Sequence, residues 1–250
     1  MVRLKLTIAY VGTNFFGWQR QKEKRTVQKC LEDAFSRICE RKIVVYGASR
    51  TDSGVHALGQ VAHCDIPENK LHIPWVRALN SILPNDVCVI KVEQVDKNFD
   101  ARFSSKAKIY SYTIWKCWDY VLPQRVPFVW RCGEVDEELM EEASKIFIGT
   151  HDFASFQNSG SDVKSTVRTI FEIRREKGLF PEESRWIFVG NGFLKQMVRN
   201  IMGALVSIGK GKITIDELKE IFQKKDRRLA PATAPASGLC LEKVSYGEDY

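Results

Sequence analysis

No stretch of this chain approaches the ~18 uninterrupted apolar residues of a membrane-spanning helix, so an integral membrane protein is not expected. Residues Met1 to Ile8 alternate apolar and polar side chains, which reads as a strand and not as a signal peptide; the expected compartment is the cytoplasm. Cysteine is present but unpatterned. Its seven copies, at 30, 39, 64, 88, 117, 132 and 240, include no Cys-x-x-Cys spacing and read as small core residues or free thiols. Histidine is sparse, with four copies and only His63-Cys64 at ligand spacing, which argues against a zinc site. A nucleotide-binding motif is also missing. Neither metal nor cofactor is expected.

What is present is an ordinary globular composition: 44% hydrophobic and 28% charged over 250 residues, enough for one large domain or two small ones. The net charge of +7 favours a polyanionic partner, although charge alone discriminates weakly.

Along the chain, Leu4, Leu6, Ile8 and Tyr10 lie on one face of a first strand. The loop from Tyr10 to Gln21 interleaves aromatic and amide side chains with cations. It suits either RNA contact or aromatics tucked into a core beneath solvated lysines. Thr26 is placed to N-cap a helix carrying Val27, Leu31, Ala34 and Phe35 inward. Ile43 to Tyr46 and Gln60 to Cys64 read as strands, Pro74 opens a helix, and Val87 to Val95 is a further strand. Tyr110, Tyr112 and Ile114 share a strand face. Residues 118–127, with two prolines and no periodicity, read as a linker between halves. Asp136 caps the next helix, residues 166–175 and 185–191 form a strand pair, and a helix begins at Phe193 with Lys195 and Arg199 on its polar face. Thr214 and Glu217 form a capping box for a last helix. That helix ends in Lys224-Lys225-Asp226-Arg227-Arg228, a cluster for gripping phosphates or simply solvated. The connections lack βαβ spacing, so an α+β fold with mostly antiparallel strands follows.

Chemistry concentrates in Gly47-Ala48-Ser49-Arg50-Thr51-Asp52-Ser53-Gly54-Val55-His56-Ala57. Two glycines, a cation, a carboxylate and an imidazole stand there between two strand-like runs. A loop so hung holds a side chain rigidly yet reachably, which singles out Asp52. On residue chemistry alone the same string is also a turn with Asp52 bonding its own backbone, or a buried Arg50–Asp52 pair.

Arg-Thr-Asp-x-Gly-Val-His-Ala, followed by Gly59-Gln60-Val61, resembles the catalytic loop of the TruA family of tRNA pseudouridine synthases. Tyr10-x-Gly-x-x-Phe-x-Gly-Trp-Gln, Lys108-x-Tyr110-x-Tyr112, His151 to Phe156, Met197-Val198-Arg199 and Gly238-Leu239-Cys240-Leu241 resemble further family motifs, so the likeness spans nearly the whole chain. It implies the pseudouridine synthase fold: two ferredoxin-like (RRM-like) α+β subdomains, 1–105 and 106–250, sharing a mostly antiparallel sheet with a basic cleft. It implies Asp52 as catalytic group, with Arg50, His56, Tyr110, Arg199 and Leu241 at the substrate. Tyr110 would stack on the base and Arg199 would pair with the aspartate. It implies a homodimer acting on tRNA uridines thirty-eight to forty in the anticodon stem-loop. Three departures stand out: Ser49 and Asp100 where the family commonly has glycine and histidine, and Cys240 in place of an aromatic. Two other classes compete: a non-catalytic RNA-binding module, and a hydrolase on His151 and Asp152, which has no Gly-x-Ser-x-Gly elbow.

Overall fold

Apolar–polar alternation makes the first strand. In the computed structural model, which describes residues 1–158, 160 and 163–247, β1 (Val2–Tyr10) buries Leu4, Leu6, Ile8 and Tyr10 on one face. It leads through a loop to α1 (Val27–Cys39), whose inward face is Val27, Leu31, Ala34 and Phe35. Thr26 has the extended backbone of a cap, but its buried hydroxyl makes no cap bond and has no partner among the described residues. The apolar run at 43–46 is a strand only at its end: Ile43 and Val45 are buried in irregular chain, and β2 is Tyr46–Gly47. Hydrogen bonds from Gln28 to Val45 O and from Val45 N to Glu32 hold the remainder, replacing a strand ladder with side chains of α1. Then come β3 (His56–Ile66), the short α2 (Trp75–Asn80) and β4 (Val87–Val95).

These elements belong to one of two units into which the chain divides: Met1–Lys106 with the described residues from Cys240 onward, and Ala107–Leu239. In the first unit β1 pairs antiparallel with both β3 and β4, and β2 pairs antiparallel with β3.

The second unit begins with β5 (Ala107–Trp115), buried along almost its whole length, as expected of a strand covered on both faces. Next are β6 (Trp130–Arg131), α3 (Glu137–Ser144), β7 (Gly149–Asp152), β8 (Val167–Lys177) and β9 (Glu183–Gly190). β9 pairs antiparallel with β5 and β8, β7 with β8, and β6 runs parallel to β5. The Asp136 carboxylate accepts from Leu139 N at 2.9 Å and caps α3 as its sequence indicates. α4 (Met197–Gly209) begins four residues later than its sequence suggests, because Gln196 adopts a left-handed backbone (φ 61°). Lys195 therefore lies outside the helix and shares no face with Arg199. α5 (Ile215–Lys224) carries the expected Thr214–Glu217 capping box. Residues 118–127 are not a boundary but part of this unit: Trp115 Nε1 donates to Tyr120 O, and Arg125 pairs with Glu183. Finally β10 (Leu239–Ser245) returns to the first unit, with Cys240 and Leu241 beside His56 and Ala57 in parallel register. Both units are thus mixed, mostly antiparallel α+β structures.

All seven cysteines are free thiols, and burial pushes the Cys132 thiol up to about 11.

Inside the first unit, His63 lies stacked under Tyr46, and its Nδ1 accepts from Ala101 N at 3.0 Å. That bond needs an unprotonated Nδ1. Burial, aided by the nearby Arg3, holds the imidazole pKa below its usual value. The folded state therefore binds fewer protons at this site than the unfolded state, so stability is fully present above pH ~6.5 and is lost as pH falls below it. Denaturant midpoints measured from pH 7.5 to 5.5 are expected to fall more steeply in the wild type than in His63→Asn, whose amide oxygen can still accept from Ala101. Equal slopes would remove His63 from the pH dependence.

Candidate active site

The Asp52 loop is built on close backbone contact. Residues 48–55 join β2 to β3, and two glycines elsewhere in the same unit, with Gly47 at the end of β2, fit against or beside it. A Cβ on Gly12 would stand 2.0 Å from Val55 O, and one on Gly17, at φ +82°, would stand 2.6 Å from Thr51 O. A Cβ on Gly47 would enter the buried indole of Trp18. No other side chain fits these positions without displacing the loop. Hydrogen bonds complete the docking: Trp18 N to Thr51 O at 3.0 Å, Ser53 Oγ to Phe15 O at 3.0 Å, and Gly12 N to His56 Nδ1 at 3.0 Å. The register of β1 against β3 shifts between Ile8 and Tyr10, and just there Tyr10 Oη meets Thr51 Oγ1 at 2.8 Å.

On the strand side, Gln60 is fully buried and uses both ends of its amide on one residue. Its Nε2 donates to Ser49 O at 2.8 Å and its Oε1 accepts from Ser49 N at 3.3 Å. Within the loop, Val55 N returns to Asp52 O at 3.2 Å across a turn with Gly54 at φ +81°. The turn expected at Asp52 is present, closed by the Asp52 backbone carbonyl. Its side chain is half-buried, two residues from an exposed Arg50. A carboxylate so placed has the rigidity and the access that nucleophilic or general-base work requires.

His56 and Leu241 lie beside this loop but inside the core. His56 is 4% exposed with Nδ1 engaged by Gly12, and Leu241 is fully buried opposite Ala57. The aromatic loop splits between its two readings. Phe15 and Trp18 are core residues, while Phe16 remains exposed under Lys24, and Arg25 covers Phe15 while pairing with Asp86. Sequence reasoning passed over Gln60, Gly12 and Thr51 as structural determinants. Gln60 carried a readable signal: an amide inside an otherwise apolar strand run must find partners when buried.

Tyr110 and Arg199 belong to the second unit. The Tyr110 ring meets Phe193 edge-to-face at 5.2 Å between centroids. Tyr112 is fully buried, as expected for a β-forming core residue, and its hydroxyl donates to Pro235 O at 2.7 Å. Burial raises its pKa far above the usual phenol value, against the opposing pull of nearby Arg199. Arg199 Nε donates to Ala234 O at 2.8 Å, and Ala234 N returns a bond to Arg199 O at 3.1 Å. The extended segment 230–235 thus braces the first turn of α4.

The remaining sequence candidates are structural. His151 Nε2 lies 2.8 Å from Ile148 O, and Asp152 binds Thr166, Ala154 N and Lys225. Asp100, the departure from the family's histidine, accepts from Arg102 N and Phe103 N at 2.8 Å each. Burial opposes its charge, but these bonds outweigh burial and lower its pKa. The carboxylate closes a turn.

The model of a family described as tRNA pseudouridine synthase matches residues 6–104 and 143–247. A tRNA pseudouridine synthase A of Solidesulfovibrio magneticus is 51% identical, covering 99% of this chain and 92% of its own. Its counterpart in Maridesulfovibrio salexigens is 50% identical with the same coverage. That of Clostridium acetobutylicum is 44% identical over 98% of this chain and all of its own. With the family model matching most of the chain and these relatives aligned over 98–99% of it, the chain belongs to the TruA family of tRNA pseudouridine synthases and is an isomerase.

Proposed function

We propose that the chain isomerises uridine to pseudouridine at positions thirty-eight to forty of the tRNA anticodon stem-loop, with Asp52 as the catalytic group. The observation that carries this reading is the Asp52 loop: a half-buried carboxylate on a turn held by backbone contacts from Gly12 and Gly17 and by the Gln60 clamp. Preorganisation of that kind matters where one group must act at one bond.

The reaction breaks the N-glycosidic bond at N1, turns the base, and joins its C5 to the same sugar carbon. The C5 proton leaves and N1 gains one. Nothing is oxidised or added, so side chains suffice. The target base must first leave the stem, at a cost of a few kcal/mol that pocket contacts offset. Asp52 acts in its ionised form, on the base or on the ribose. Arg50, exposed beside it, is suited to a backbone phosphate or to the space the base vacates. Tyr110 supplies the stacking ring and Arg199 the cation that favours the ionised carboxylate. Both roles rest on the family likeness, as do His56 and Leu241 as substrate-side residues, the homodimer, and work in the cytoplasm.

The test compares wild type with Asp52→Asn on an anticodon stem-loop transcript, reading pseudouridine by carbodiimide primer extension and binding by filter retention. Modification is expected to fall by about a thousandfold or more, with binding held within a few-fold. Undiminished modification by the variant would remove Asp52 from the chemistry. A second variant checks the rigidity of the loop. Gly12→Ala puts a methyl group against Val55 O and is expected to lower kcat by about tenfold or more with a smaller change in KM. An unchanged kcat would mean that the loop tolerates displacement.

A further inference from the structure

The cluster at the end of α5 does not behave as one charged face. Lys224 pairs with Glu220, Lys225 with Asp152, and the 88%-exposed Arg228 with Asp226. Arg227 is different. Its Nε donates to Asn158 Oδ1 at 2.8 Å and its Nη1 to Ala230 O at 3.0 Å. Its Nη2 donates to Asn200 Oδ1 at 3.0 Å and to Thr233 Oγ1 at 2.9 Å. Thr233 in turn donates to Asn200 Oδ1 at 2.7 Å, and Asn200 Nδ2 donates to Phe156 O at 2.7 Å. Every one of these acceptors is neutral. Among the described residues no carboxylate pairs with Arg227, and burial lowers its pKa from the usual guanidinium value.

Two of its anchors are sequence neighbours of the contact that braces Arg199. Asn200 follows Arg199, and Thr233 precedes Ala234, whose carbonyl and N–H both bond to Arg199. The same segment passes so close to α4 that a Cβ on Gly203 would stand 2.1 Å from Ala232 O. The segment's position against α4 is therefore set on one side by the missing side chain of Gly203 and on the other by the Arg227 fork. We propose that Arg227 is a positioning residue for the isomerisation, holding segment 230–235 and the first turn of α4 so that the Arg199 side chain points in one direction. This rests on the role assigned to Arg199 above. Arginine is required because a planar fork reaches acceptors on three separate segments, which the point charge of a lysine does not.

The experiment is a kinetic double-mutant cycle on the stem-loop substrate with Arg227→Gln, Arg227→Lys, Arg199→Ala and the Arg199→Ala/Arg227→Gln pair, alongside thermal midpoints. Thr233→Val, which removes one of the four acceptors together with the Thr233–Asn200 bond, serves where the Arg227 variants fold poorly. Arg227→Gln is expected to lower kcat by about tenfold with KM within about twofold, and Arg227→Lys not to restore it. In the Arg199→Ala background the Arg227 substitution is expected to cost little more, because its effect is already lost. Thr233→Val is expected to lower kcat in the same direction by less. Multiplicative losses in the double variant, rescue by lysine, or a lowered midpoint with kcat intact would overturn the proposal, leaving Arg227 a stabilising residue. A wild-type kcat for Arg199→Ala would instead overturn the reading of Arg199 itself.

Discussion

The constraint on which the first unit depends is the absence of side chains at Gly12 and Gly17. Backbone meets backbone there, with Val55 O and Thr51 O where a Cβ would otherwise stand. Such an approach brings peptide groups into direct register, and the bonds Trp18 N–Thr51 O and Gly54 N–Phe15 O are its result. The burial of Phe15 and Trp18 is the apolar counterpart of that docking. One loop is thus fastened by another. The backbone bonds that fasten the catalytic candidate's loop use no ionisable group, so its rigidity does not depend on the state of charge of Asp52, as preorganised sites require.

The second unit solves the same problem differently. Arg199 lies on a helix, but the helix does not begin until Met197, after a left-handed Gln196. A first turn is where a helix frays, since its N–H groups lack intrahelical partners. Fastening comes from outside the helix, through Ala234 on Arg199 and Thr233 on Asn200, and an arginine surrounded by neutral oxygens closes the arrangement. Burying a cation without a counter-ion costs free energy, which several charge-assisted hydrogen bonds offset. Where a paired carboxylate would hold one direction, four neutral acceptors on three segments hold a shape.

Much of this was legible in the sequence, and most of what was not has a common cause. Period-two alternation located β1, because burial of one strand face writes itself into composition, and strand-like runs located β4, β8 and β9. Capping chemistry located α3 and α5 for the same local reason: Asp136, Thr214 and Glu217 act on backbone groups three residues away. Apart from the late start of α4 at a left-handed Gln196 and the Thr26 hydroxyl that makes no cap bond, the errors involve partners outside the segment itself. Ile43 to Val45 looks like a strand and is instead held by Gln28 and Glu32. Residues 118–127 look like a linker and are bonded within their unit through Tyr120 and Arg125. Arg227 looks like a surface charge among four others, and no feature of its immediate sequence separates it from Arg228. Asp52 itself was found through a motif. Its support by Gly12, more than three dozen positions earlier, belongs to the tertiary structure.

The three departures from the family pattern show the same division between backbone and side-chain work. At position 49 the clamp from Gln60 uses only the backbone N–H and carbonyl, so serine serves as well as glycine in that bond pair. At position 100 the carboxylate closes its own turn through two main-chain N–H groups, and its charge is spent locally. At position 240 the side chain is half-exposed in β10, while the neighbouring Leu241 fills the core opposite Ala57. In each case the scaffold asks for a backbone path, a filled volume or a turn, and more than one side chain meets that demand. Asp52 is held to a stricter standard. A turn tolerates any residue that accepts its φ and ψ, but under the proposed role asparagine, the neutral isostere of aspartate, keeps the shape and lacks the charge that the chemistry needs.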